Sequence, residues 1–102
     1  MELANINLPI DRIKTFCEKW QVVEFALFGS VLRDDFRPDS DIDVMVQFHP
    51  EARPTFWSLE QMEEELKTIF SRDVDVVTRP GIENSRNSLR RQEILSSAQI
   101  VI

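Results

Sequence analysis

A chain of 102 residues has the length of one domain with a single modest core. Its 42% hydrophobic and 29% charged residues describe a soluble globule rather than a disordered segment. A net charge of -6 argues against direct binding of double-stranded nucleic acid, whose partners carry a basic stripe.

One cysteine, Cys17, excludes an internal disulfide and fits a reducing compartment. The opening MELANINLPIDR shows no basic and apolar leader, and no apolar run approaches membrane-span length. The expectation is one cytoplasmic domain over residues 1–102, without membrane contact.

Residues 9 to 20 set Ile10, Ile13, Cys17 and Trp20 at helical spacing, widened by Phe16, with Pro9 in the first turn. VVEFALF (22–28) is an apolar run of strand length ended by Gly29, and a short helix or turn starts at Ser30. After the Pro38-Asp39-Ser40 loop, residues 41 to 48 alternate as a second strand. Ile42, Val44 and Val46 face one way, and Asp41, Asp43 and Met45 the other.

A helix is predicted from Thr55 to Phe70, with Leu59, Met62, Leu66 and Ile69 on its apolar face. A third strand covers 73 to 78, and Pro80-Gly81 breaks the chain. A last helix covers about 86 to 98, and QIVI forms a final short strand. The order predicts an α/β (α+β) fold, with helices against a small mixed sheet.

Acidic residues two apart on a strand point the same way, about 6 to 7 Å apart along the chain. Asp41 and Asp43 can therefore address a shared cation, and Asp75, between Val74 and Val76, can add a third carboxylate. A solvated strand end is the ordinary alternative for such a pair. A calcium loop starting at Asp39 is excluded, because its sixth and twelfth positions hold Val44 and Pro50 instead of Gly and Glu.

With only Gly29 and Gly81 in the chain, neither a Walker loop nor a GxGxxG dinucleotide loop can form. What remains is Gly29 at a strand end, where phosphate can approach the backbone. Ser30 and the amides behind it can donate to that phosphate, and Arg33 can add a charge-assisted bond. A plain turn capped by Ser30, with Arg33 paired to Asp34 or Asp35, is the competing reading.

Phe28-Gly29-Ser30, ten residues, then Asp41-Ile42-Asp43-Val44 resembles the signature of the DNA polymerase beta-type nucleotidyltransferase superfamily. The likeness is greatest to minimal nucleotidyltransferase (MNT) domain proteins, small members that act as antitoxins beside HEPN-domain toxins. It spans residues 23 to 102, including Arg33, the LEQMEEELKTIFSRDVDVVTRPG segment and NSLRRQEILSSAQIVI. That family commonly has a small residue after the arginine, where this chain has Asp34.

The resemblance implies ATP bound through Gly29, Ser30 and Arg33. It implies magnesium held by Asp41, Asp43 and Asp75, with Asp75 helping to deprotonate the acceptor hydroxyl. It also implies AMP transfer to a tyrosine of a HEPN-type toxin, within a possible homo- or hetero-oligomer. A binding-only antitoxin and a transferase for a small molecule such as an aminoglycoside stay open as alternatives.

The remaining residues have simpler readings. His49 is a turn residue and Cys17 is core. Phe56 and Trp57 read as core, with an exposed pair docking a partner as the alternative. Arg86, Arg90 and Arg91 form a solvated helix face with a lesser chance of reaching ATP phosphates or an acidic patch on the toxin.

Overall fold

The computed structural model describes residues 2–3, 6–34, 36–37 and 39–102. Asp35 and Pro38, named in the sequence readings, lie outside the described residues. A two-residue hairpin, β1 (Glu2–Leu3) with β2 (Ile6–Asn7), precedes helix α1 (Ile10–Trp20). The periodicity did not signal that hairpin, because two-residue strands are too short to show alternation.

Four further strands form the main sheet in the order β5-β4-β3-β6. β3 (Val22–Phe28) runs antiparallel to both β4 (Ile42–Phe48) and the short β6 (Gln99–Ile100). β5 (Val74–Thr78) lies parallel to β4. The sheet is thus mixed, as the element order predicts. The closing QIVI segment supplies its edge: Val101 N–H donates to the Phe25 carbonyl at 2.7 Å.

Helix α2 (Phe56–Phe70) supplies the crossover between the parallel pair β4 and β5. It starts with a reciprocal cap. Ser58 N–H donates to Thr55 Oγ1 at 3.1 Å, and Thr55 N–H to Ser58 Oγ at 3.2 Å. Pro80-Gly81 proves not to be a break but part of a short helix, α3 (Arg79–Glu83). Proline suits a helix's first turn because its missing N–H is one that turn leaves unpaired anyway. Thr78 Oγ1 caps this helix by accepting from Gly81 N–H at 3.1 Å. Helix α4 (Ser88–Ser97) then starts two residues later than the spacing suggests, at the Asn87 cap.

Strand alternation divides the core in two. Ile42, Val44, Val46 and Val74 pack with Ile13, Phe16, Cys17, Met62 and Leu66, which places α1 and α2 on one face. Met45, Ala26 and Phe28 pack with Ile82 and Ile94, which places α3 and α4 on the other. Phe56 and Trp57 correct the core reading: they are 78% and 68% exposed at the start of α2, outside the stripe of Met62, Leu66 and Phe70. No helix among the described residues is long and apolar enough to cross a membrane.

Cys17 is core, at 4% exposure. Burial, reinforced by neighbouring Glu18, pushes its thiol from 9.0 up to about 11. The folded state therefore keeps this proton over a range where the unfolded chain loses it. The contribution is fully present below pH 9.0 and is lost as pH rises through about 11. Urea titrations should show unfolding free energy falling by roughly 2–3 kcal/mol across that window. Cys17→Ala should flatten the fall.

Candidate active site

The α3/α4 face of the sheet carries the acidic side chains. In the parallel β4/β5 ladder Asp43 is paired with Asp75 and Met45 with Val77. Partners at one register level share a face, and adjacent strands lie about 4.8 Å apart. Met45 and Val77 both belong to the α3/α4 core cluster, so Asp43 and Asp75 project toward that side as well. The half-buried Asp43 meets Phe28 across its other edge, at the end of β3 where the Gly-Ser turn begins.

Asp41 departs from its expected place. β4 begins at Ile42, so Asp41 stands exposed one residue ahead of the strand. Its backbone is held by other means: Ser30 Oγ donates to the Asp41 carbonyl at 3.4 Å, and Ile42 N–H to the Asp73 carbonyl at 2.9 Å.

Gly29 opens a 3₁₀ helix, Gly29–Leu32, with φ of +78°. A Cβ built there would lie 2.3 Å from Asp43 Oδ2. Glycine is therefore required twice, for the left-handed backbone and for the room that the carboxylate occupies. The sequence reading leaves this space to an approaching phosphate; on the side where a Cβ would stand, the Asp43 carboxylate fills it.

Burial raises the proton affinity of Asp43 above the usual carboxylate range, followed by repulsion from Asp75 and then Asp41. Arg90 and Arg33 oppose the shift. Arg90 is exposed, as the solvated-face reading expects, yet it lies one turn before the buried Ile94 and its charge acts on Asp43. Arg91 instead donates to the Ser85 carbonyl at 2.7 Å, and Arg86 is exposed. His49 is a turn residue, its Nδ1 accepting from Glu51 N–H at 3.1 Å.

A cleft of about 340 Å³ opens beside these groups, walled by Phe28, Gly29, Leu32, Arg33, Glu93 and Ile94. None of Asp41, Asp43 and Asp75 lines it; the cleft shares Gly29, which packs against Asp43, and Arg33 with the candidate site. A larger cavity, about 550 Å³, lies between α1 and α2 against Asp11, Phe16, Glu65 and Ile69. None of the candidate residues lines it, and it faces the wrong side of the sheet for them.

Whether the acids suit a divalent ion can be judged from their arrangement. Among the described residues no three His, Cys, Asp or Glu side chains are gathered tightly enough to enclose an ion unaided. Asp43 and Asp75 nevertheless share a face with mutual repulsion that a cation would relieve. An open set of this kind fits magnesium, which takes one or two carboxylates and completes its shell with water and phosphate oxygens.

A Gly-Ser turn leading from one strand toward strand-borne acids on its neighbours is the layout of a nucleotidyltransferase. The family model for the nucleotidyltransferase domain matches residues 10–101, and the chain belongs to that family. MJ1379 of Methanocaldococcus jannaschii, named as a protein adenylyltransferase, is 37% identical over 71 residues, covering 70% of this chain and 71% of its own. The protein adenylyltransferase MntA of Thermococcus cleftensis is 31% identical over 71 residues, 70% of each chain.

Among solved structures, one described as a minimal nucleotidyltransferase superposes with a TM-score of 0.66 at 28% identity, covering 88% of this chain and 86% of its own. A toxin-antitoxin structure with AMP-PNP has the same fold, with a TM-score of 0.71 at 18% identity over 93% of this chain and 73% of its own.

Proposed function

We propose that this chain is a cytoplasmic antitoxin that transfers AMP from ATP to a tyrosine hydroxyl of a cognate HEPN-type ribonuclease toxin. The observation that carries the reading is the pairing of Asp43 with Asp75 on one sheet face, directly against the backbone of Gly29. Support for a protein acceptor comes from relatives named as protein adenylyltransferases, and for a toxin from the toxin-antitoxin neighbours.

In this reading the Gly29 and Ser30 amides and the Arg33 guanidinium hold the triphosphate. The acceptor oxygen attacks the α-phosphorus in line, the bond to the β-phosphate's bridging oxygen breaks, and pyrophosphate leaves. Asp75, exposed beside Asp43, takes the hydroxyl proton. Asp43 and Asp75 would hold magnesium, with Asp41 ahead of the strand as the further candidate ligand, and the ion would supply positive charge for the phosphate oxygens. The toxin brings the acceptor surface, so the modified residue is expected on the partner chain. This sequence contains no tyrosine of its own.

Incubation with the cognate toxin, magnesium and ATP labelled at the α-phosphate tests the proposal. Label should pass to the toxin, and ATP labelled at the γ-phosphate should release its label as pyrophosphate. Neutralisation without transfer would leave an antitoxin that acts by contact alone.

Arg90 gives a second check. Hydrogen bonds to charged groups are worth about 1.5–3 kcal/mol. Arg90→Ala should therefore raise the KM for ATP by roughly 10- to 100-fold. The melting temperature should stay unchanged, because the side chain is exposed. Steady-state kinetics at varied ATP measures the effect.

A further inference from the structure

The acids stand on different chain segments, and something must fix the distance between them. Asp75 is secured by the β4/β5 ladder, whereas Asp41 lies ahead of β4 and has no strand partner. Its neighbouring peptide groups are nonetheless held on both sides. Before it, the Ser40 carbonyl accepts from Arg72 Nη1 at 3.4 Å. After it, Ile42 N–H donates to the Asp73 carbonyl at 2.9 Å.

Both tethers come from the turn that joins α2 to β5, two and three residues ahead of Asp75. Arg72 does more there. The same nitrogen donates to the Arg37 carbonyl at 3.3 Å, and the guanidinium lies over the Phe36 ring at 4.7 Å. The Arg37 carbonyl also accepts from Ser40 N–H at 3.0 Å, while Arg37 N–H donates to Ser40 Oγ at 3.0 Å. One cation thus holds the Arg37 and Ser40 carbonyls and stacks on the Phe36 ring.

We propose that Arg72 is the positioning residue of the acidic site: it locks the approach to Asp41 onto the approach to Asp75 and so sets the spacing at which these carboxylates meet a divalent cation. In this role Arg72 acts through the Arg37 and Ser40 carbonyls that it holds and not on the nucleotide itself. A planar guanidinium is needed, because it combines a donor to two carbonyls with a flat face for Phe36. A lysine retains charge and donors but cannot stack in that way. The role rests on the proposed transfer reaction, yet its first readout is independent of turnover.

The experiment compares the parent with Arg72→Ala, Arg72→Lys and Phe36→Leu. Binding of Mn²⁺ with a nonhydrolysable ATP analogue is followed by electron paramagnetic resonance, beside transfer kinetics and thermal melts. Groups that orient metal ligands typically change affinity or activity by roughly 10- to 100-fold when removed. Arg72→Ala should weaken Mn²⁺ binding and lower kcat to that extent, with the KM for ATP nearly unchanged. Arg72→Lys should recover part of the loss, and Phe36→Leu should lose several-fold.

Parental Mn²⁺ affinity in the folded Arg72→Lys and Phe36→Leu variants, together with unchanged affinity or an outright folding failure in Arg72→Ala, would overturn the assignment. If the parent itself transfers no AMP, the proposed reaction fails, while the Mn²⁺ comparison still decides the role of Arg72.

Discussion

Asp43→Asn is expected to abolish AMP transfer while leaving the metal-free protein as stable as the parent or more so. Most half-buried charged residues behave oppositely, so the combination is diagnostic. Burial comes first, then repulsion from Asp75 and Asp41, in raising this carboxyl's proton affinity above its ordinary value. A carboxyl whose folded pKa is raised favours folding below its unfolded pKa, and that contribution is lost as pH rises through the folded value. At neutral pH the ionised Asp43 is therefore a strain on the fold, and neutral Asn relieves it. Asn is a poorer cation ligand, and the loss of transfer should be at least about 10²-fold. Thermal melts in chelator, repeated at acidic and neutral pH, check the first half, and label transfer checks the second. The advantage of the Asn variant should shrink toward low pH, where Asp43 in the parent is protonated.

Gly29→Ala is expected to damage fold and activity together. The residue sits at φ +78°, where an L side chain costs roughly 1–2 kcal/mol. The added methyl carbon would also start 2.3 Å from Asp43 Oδ2, far inside contact distance. Either the 3₁₀ turn moves away from β4 or the carboxylate rotates out of the site. Both outcomes should reduce transfer to background, with a melting temperature several degrees lower. The asymmetry with Asp43→Asn separates the roles: one variant removes a charge from an intact frame, and the other deforms the frame. Chemical denaturation and transfer assays on the two variants side by side make the comparison.

Much of this was legible from residues alone, for identifiable reasons. Alternation across Ile42, Asp43, Val44 and Met45 reports a strand with two different faces, and the core splits along it. Thr55 was readable as a helix start because its cap chemistry is local, three residues in reach. The Pro80-Gly81 pair misled because the same dipeptide can end one element or open another, and only Thr78 Oγ1 in space decides which. Asp41 counted by periodicity as a strand residue, yet ladder pairing starts at Ile42. Phe56 and Trp57 show the limit of hydrophobicity as a guide to burial: the helix turns them outward.

The site followed the same division. Gly29, Ser30 and the spacing to Asp41 and Asp43 are contiguous in sequence and could be recognised there. Arg72 acts across 32 and 35 residues to the carbonyls that it holds, and no local pattern announces such a contact.

Co-crystallisation with magnesium and a nonhydrolysable ATP analogue tests the central claim most directly. The account predicts a triphosphate resting on the Gly29-Ser30 turn, with its α-phosphate and a metal ion facing Asp43 and Asp75. Nucleotide seated in the groove between α1 and α2, with both carboxylates left facing solvent, would contradict it.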